Sequence, residues 1–273
     1  GLNRHRSRSE SYYSVKLMSS PAFVAAATAL ALLMPVAPAQ AQPPPLIVSV
    51  AASLSDVMSE LARRHEAATG QAVRLNVGGS NFVARQIVEG ARADVFLSAD
   101  DTQMDVVERA GRLVPGSRVD LLTNLLVVVG RPGGGLTIGD PAALASTRVR
   151  RIALGNPESV PAGIYARRWL EGRGVWVAVS RKVVPTLSVR AALTAVRAGR
   201  VDAAVVYATD ALTEPAVPVI FRVPPAEAPP IVYPAAVVDG PNREAAGRFV
   251  AYLRSADARA VFEAEGFGVV GRQ

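Results

Sequence analysis

The sequence predicts an α/β fold in two lobes. Short, almost wholly apolar strands alternate with helical patterns from Leu46 onward, as in a parallel sheet covered on both faces. A second strand-and-helix series begins after residue 123, and a proline-rich extended stretch then leads into an amphipathic helical pattern over 241–264. If that last pattern packs on the first lobe, the chain crosses twice between lobes. Two linking segments would then form a hinge around a ligand cleft.

The first strand, LIVSV (46–50), precedes a helical pattern with Leu54, Val57, Met58 and Leu61 on one face, stopped by Gly70. VRLNV (73–77) precedes a second helix carrying Phe82, Val83, Ile87 and Val88, stopped by Gly90. ADVFLSA (93–99) is a third strand, followed by a helix around 101–110. VDLLTNLLVVVG (119–130) is longer than one ordinary strand. It leads through Arg131-Pro132 and three glycines into RIALG (151–155), helices near 162–172 and 188–198, and DAAVVY (202–207). Seven prolines between Glu214 and Pro234 exclude a long helix there, yet VIFRV (219–223) and IVYPAAVV (231–238) read as strands. Lobe 1 is therefore read as 46–123 plus 231–273, and lobe 2 as 124–230.

Residues 1–41 read as an export signal: a basic lead, the apolar run PAFVAAATALALLM (21–34), and the small-residue end Ala39-Gln40-Ala41. Cleavage would fall between Ala41 and Gln42, leaving QPPP (42–45) as a stiff leader, and initiation at Met18 is an alternative to the longer lead. The net charge of +7 suggests nucleic acid, but the signal holds Arg4, Arg6, Arg8 and Lys16 against Glu10. Without it, 26 basic and 22 acidic residues remain, with no Lys/Arg block. Nucleic-acid binding is not expected. With no cysteine, a disulfide, a thiolate nucleophile and a cysteine-ligated metal are impossible.

Two junctions carry the chemistry. Ser53 in AASLSD and Ser80 in GGSNF follow the first two strands where helices begin, so hydroxyls and unpaired N–H groups would face one space. Each serine alone could be an ordinary helix cap, the simplest reading of Ser53, and Gly78-Gly79 a tight turn or room for a ligand against the backbone. Both lie at carboxyl ends of neighbouring strands, where open α/β sheets bind ligands. In lobe 2, Ala162 and Val189 at helix starts offer only N–H donors, and Tyr207 ends a buried strand with a hydroxyl that requires a partner. An enzyme is hard to build. His5 lies in the signal, His65 late in the first helix as a surface or boundary residue, and no nucleotide, zinc or hydrolase motif occurs. Asp94, Asp100 and Asp101 read as caps rather than as metal ligands.

These residues converge on a known family. AASL (51–54), ARQI (84–87), ADVFLSAD (93–100), LLVVV (125–129), NPESVPAGIYA (156–166), SVRAAL (188–193), VVYATDA (205–211), YPAAVV (233–238) and EGFGV (265–269) occur in this order. Across 46–270 the chain resembles the molybdate-binding component of bacterial ABC importers. The resemblance implies a two-lobed periplasmic-binding-protein fold (type II), with two crossovers forming the hinge, and a non-catalytic monomer. It also implies capture of molybdate or tungstate in the periplasm and delivery to a membrane permease and its ATPase, without a cofactor or directly ligated cation. Carried over by position, the donors are the hydroxyls and N–H groups of Ser53 and Ser80, the N–H groups of Ala162 and Val189, and the Tyr207 hydroxyl. Gly78-Gly79-Ser80-Asn81 replaces a more serine-rich turn, and Leu187-Ser188 an acidic pair. A receptor for sulfate or another tetrahedral oxyanion is the alternative, and a serine-dependent hydrolase a remote one.

Overall fold

The structure, a computed structural model, describes residues 44–271. The export-signal reading of 1–41 and the first half of the 42–45 leader lie outside the described residues. Among the described residues, eleven strands form two sheets. In the first, β1 (Leu46–Ala51) lies between β2 (Val73–Gly78) and β3 (Val95–Leu97), parallel to both. This is the parallel core that the apolar runs predict. The sheet is nevertheless mixed, because β10 (Val232–Val237) joins β3 antiparallel, and β4 (Val119–Thr123) and β11 (Gly268–Val269) extend that edge antiparallel.

The long apolar run over 119–130 serves both sheets. β4 ends at Thr123, and β5 (Leu126–Gly130) belongs to the second sheet, where it runs antiparallel to β8 (Ala203–Tyr207) and β9 (Val219–Arg222). The break falls at Asn124, whose side-chain oxygen accepts the N–H of Leu125. A local side-chain acceptor of this kind competes with ladder pairing. β6 (Ile152–Gly155) pairs parallel with β8 and with β7 (Val183–Thr186). The chain thus leaves the first sheet after Thr123 and returns to it at Val232.

Helices cover the sheets as their periodicity requires. α1 (Ser55–Thr69) buries Val57, Met58, Leu61 and Ala62 and ends on Gly70 at φ 72°, the left-handed stop that glycine supplies. α2 (Ser80–Val88) buries Val83, Ala84 and Ile87, and α3 (Asp101–Arg109) buries Met104 and Val107. These side chains pack with Phe96 and Ala236 in a small core of their own. Each fully buried aliphatic side chain contributes roughly 1.5–3 kcal/mol. In the second domain come α4 (Pro161–Gly172), α5 (Trp176–Ser180), α6 (Val189–Arg197) and α7 (Ala208–Leu212). The amphipathic pattern over 241–264 resolves into two helices, α8 (Arg243–Leu253) and α9 (Ala256–Ala264), with Ser255 capping the second through Ala258 N–H at 3.2 Å.

His65 is not a surface residue. It is buried, with Phe249 edge-on at 5.0 Å and Tyr252 at 5.1 Å between ring centroids, so α8 covers it. Burial holds its pKa below the usual imidazole value. Among the described residues, no helix is long and apolar enough to cross a membrane.

Candidate functional site

The carboxyl ends of β1, β2 and β8 turn almost directly into helical segments, those of β6 and β7 lead through short turns into α4 and α6, and the five residues singled out in the sequence meet there. Ser53, Ser80, Ala162, Val189 and Tyr207 line one cavity, together with Ala51, Ala52, Gly79, Ala99, Val160, Pro161 and Ser188. No charged side chain is among them. About 10 Å³ of this cavity is open to the centre of a water-sized sphere. Space of that order is about one water sphere.

Neither serine is the helix cap that its position suggests. Ser53 sits inside a 3-10 turn, Ala52–Leu54, which runs into α1, and no side chain caps that turn. Ser80 is the first residue of α2, and Gly79 occupies the cap position. Their hydroxyls are fixed from behind instead. Asn124 donates to Tyr233 Oη at 3.1 Å, and Tyr233 Oη lies 3.2 Å from Ser53 Oγ. Either hydroxyl can donate in the bond between Tyr233 and Ser53, and when the tyrosine donates the serine's hydrogen is left for another acceptor. Ser80 Oγ accepts the N–H of Ala99 at 3.0 Å, so its hydrogen is free as well.

The second domain adds donors of other kinds. Ala162 follows Pro161 in the first turn of α4, where an N–H has no partner within the helix. Val189 opens α6, and Ser188 caps that helix through Ala191 N–H at 3.2 Å, so the Val189 N–H stays uncommitted. Serine in place of an acidic residue before Val189 therefore keeps the cap and the donor. Tyr207 is 1% exposed, and its hydroxyl has no hydrogen-bond partner within the protein. A buried, unpaired hydroxyl is costly and calls for an acceptor. Burial raises the Tyr207 pKa well above the ordinary phenol value, so the group stays protonated. The hydroxyls and amides are the polar groups of a wall that is otherwise largely apolar, built from alanine, valine and proline.

The supports behind the serines escaped the sequence reading. Asn124 was detectable as a lone amide inside an apolar run. Tyr233 and Ala99 gave no local signal. Asp100 does cap α3, accepting Gln103 N–H at 3.0 Å, and Ser98 donates to it. Asp94 accepts the N–H of Ile47 at 2.7 Å, and Asp101 pairs with Arg118 at 2.7 Å. A larger groove of about 410 Å³ lies at the amino ends of β6 and β8, lined by Arg131, Arg150, Arg151, Arg200 and Asp202. It is at the opposite end of the second sheet from the five residues.

Burial pushes the Asp100 carboxyl up to about 6, against the opposing pull of its bonds to Gln103 and Ser98. The folded protein therefore holds this proton more tightly than the unfolded chain, and stability falls as pH rises from 3.8 to about 6. Asp100→Asn keeps a capping side chain and removes the buried charge. Above pH 7 it is expected to be more stable than wild type by about 1–3 kcal/mol, with no gain near pH 4. Urea unfolding across that range checks this, and an equal difference at both ends would contradict it.

The family model for bacterial extracellular solute-binding proteins matches residues 46–268. The molybdate-binding protein ModA of Escherichia coli is 35% identical over 228 residues, 82% of this chain and 89% of that protein. The periplasmic molybdate-binding protein of Azotobacter vinelandii superposes with a TM-score of 0.74 at 27% identity, covering 84% of this chain and 100% of that one. The sulfate-binding protein SubI of Mycobacterium tuberculosis, at 18% identity and a TM-score of 0.73 over 84% of this chain and 88% of that one, shares the fold. The two-domain α/β architecture is that of periplasmic binding proteins, whose role is to hold a solute rather than to transform it. The chain belongs to the bacterial extracellular solute-binding protein family and is a relative of the molybdate-binding proteins.

Proposed function

We propose that this protein captures molybdate, and tungstate with it, between its two domains in the periplasm and delivers it to the permease and ATPase of an ABC importer. The observation that carries the reading is the unpaired, buried Tyr207 hydroxyl in a small cavity that Ser53 and Ser80 share and no charged side chain lines. The ligand donors are the hydroxyls and N–H groups of Ser53 and Ser80, the N–H groups of Ala162 and Val189, and Tyr207. The molybdate-binding relatives supply the identity of the oxyanion.

A dianion that leaves water must regain its hydrogen bonds from fixed groups. The amino ends of α2, α4 and α6 add partial positive charge, about 0.3–1 kcal/mol each when exposed and more when partly buried. Donors alone also select by protonation. A fully ionised tetrahedral anion accepts every bond, whereas a protonated phosphate brings a hydrogen that finds no acceptor, at a cost of about 1–3 kcal/mol. Sulfate is fully ionised too, so its discrimination rests on size. The domain boundaries proposed are 46–123 with 231–273 for one lobe and 124–230 for the other. The two crossings, 124–125 and 223–231, serve as the hinge on which the lobes open.

Calorimetry of the mature protein with molybdate, tungstate, sulfate and phosphate tests this. Heat with the first two and none with phosphate is expected. Tight sulfate binding with no response to molybdate would overturn the assignment in favour of a sulfate receptor. Ser53→Ala and Ser80→Ala should each weaken molybdate binding by about 1–3 kcal/mol.

A further inference from the structure

Arg190 is the second residue of α6, immediately after Val189. Its Nε lies 2.5 Å from Asp210 Oδ1, and its Nη1 donates to Thr213 Oγ1 at 3.1 Å. Both partners belong to the same domain as Arg190, and Asp210 is completely buried. The remaining nitrogen reaches out of that domain, with Nη2 2.8 Å from Asp56 Oδ2 in the first turn of α1. Asp56 stands three residues after Ser53, so both ends of this ion pair adjoin a residue that lines the anion cavity. Ser53, Asp56, Arg190, Thr209 and Thr213 border a second small cavity beside the first. Among the described residues, other ion pairs stay within one domain, such as Arg118 with Asp101, Asp105 and Glu108, or Arg173 with Asp140 and Glu227.

We propose that Arg190 is a positioning residue that latches the two domains over the bound anion by closing onto Asp56. This inference rests on the anion-binding reading above. An exposed ion pair ordinarily contributes little, because two long side chains must be ordered to form it. Here Asp210 and Thr213 hold the guanidinium in place beforehand, and its planar fork leaves one edge directed at the other domain. Closure then requires only the short Asp56 side chain to be ordered. Arg190 is not among the residues that line the anion cavity, so its role is to slow release rather than to bind the anion. The charge on each partner adjoins a donor from its own domain, which ties separation of the domains to loss of the site.

The test is stopped-flow release of molybdate from the full mature protein. Asp56→Ala leaves Arg190 on Asp210 and is expected to raise the dissociation rate about five- to tenfold, with the association rate within twofold of wild type and the melting temperature of the anion-free protein unchanged. Asp56→Glu should recover most of the slow release, and 1 M salt should shrink the difference between Asp56→Ala and wild type. An unchanged dissociation rate in Asp56→Ala overturns the latch. A wild-type protein that releases no molybdate because it binds none overturns the anion reading instead. Small-angle scattering at low salt then judges the latch alone: a larger radius of gyration for Asp56→Ala supports it, and identical curves overturn it.

Discussion

Gly79→Ala is expected to leave the separate domains folded and to weaken molybdate binding by about 1–3 kcal/mol, roughly five- to 150-fold. Gly79 has φ −59° and ψ 137°, a conformation that alanine adopts freely. Its neighbours are the constraint. A Cβ there would lie 2.5 Å from the carbonyl oxygen of Leu187, which belongs to the opposite domain, and 2.9 Å from the adjustable side chain of Asn81. The carbonyl is backbone and cannot turn aside, so a methyl group must hold the two domains apart by a fraction of an ångström or more. That displacement separates Ser80 from Val189, donors that the proposed site needs together. Calorimetry and thermal unfolding of the anion-free protein distinguish the two effects. Unchanged affinity in Gly79→Ala would mean that binding does not bring Leu187 against Gly79.

The same glycine shows how far the sequence could be read. Gly78-Gly79 stood out as a place where something approaches the backbone closely, and a ligand was one natural candidate. What approaches Gly79 is the other domain, while Gly78 faces Val83 and Phe82 of the following helix. Local sequence records that space is needed but not what fills it, because the filling group comes from Leu187, more than a hundred positions away. The strands were legible for the opposite reason. Runs such as LIVSV and LLVVV are apolar on both sides because helices cover both faces, and that pattern is written in consecutive residues.

The five cavity residues were legible as a set of positions, since each follows a strand end or opens a helix. Their working arrangement was not. Ser53 and Ser80 looked like caps, yet their hydroxyl oxygens are held from behind by Tyr233 and by the N–H of Ala99. Both partners come from strands or strand ends brought alongside by the sheet order, in which β3 separates β1 from β10. Asn124 was visible as a polar break in an apolar run, but its bond to Tyr233 depends on the chain's return to the first sheet. The Arg190, Asp56 and Asp210 cluster is equally silent in sequence. Charged residues near helix starts are ordinary, and only the fold shows that one guanidinium serves both domains.

Gly163→Ala is the substitution expected to damage the fold most. α4 packs its first turn so closely on the end of β6 that a Cβ on Gly163 would lie 1.8 Å from the carbonyl oxygen of Gly155 and 2.9 Å from the carbonyl carbon of Asn156. Both obstacles are backbone, so either the helix lifts or the strand end moves. Overpacking of this kind costs about 3 kcal/mol or more, a fall in melting temperature of roughly 6–12 °C for a protein of this size. The same shift carries Ala162, one residue earlier, away from the cavity it lines, so molybdate affinity should fall even at temperatures where the variant stays folded. Gly172→Ala, at the other end of the same helix, has nothing within 4 Å of its added methyl. It should be neutral or stabilise the helix by up to about 1 kcal/mol, which separates the effect of crowding from that of adding a methyl group to α4. A Gly163→Ala protein that melts within 2 °C of wild type would show that the amino end of α4 is not seated on β6, and the placement of Ala162 at the cavity would fall with it.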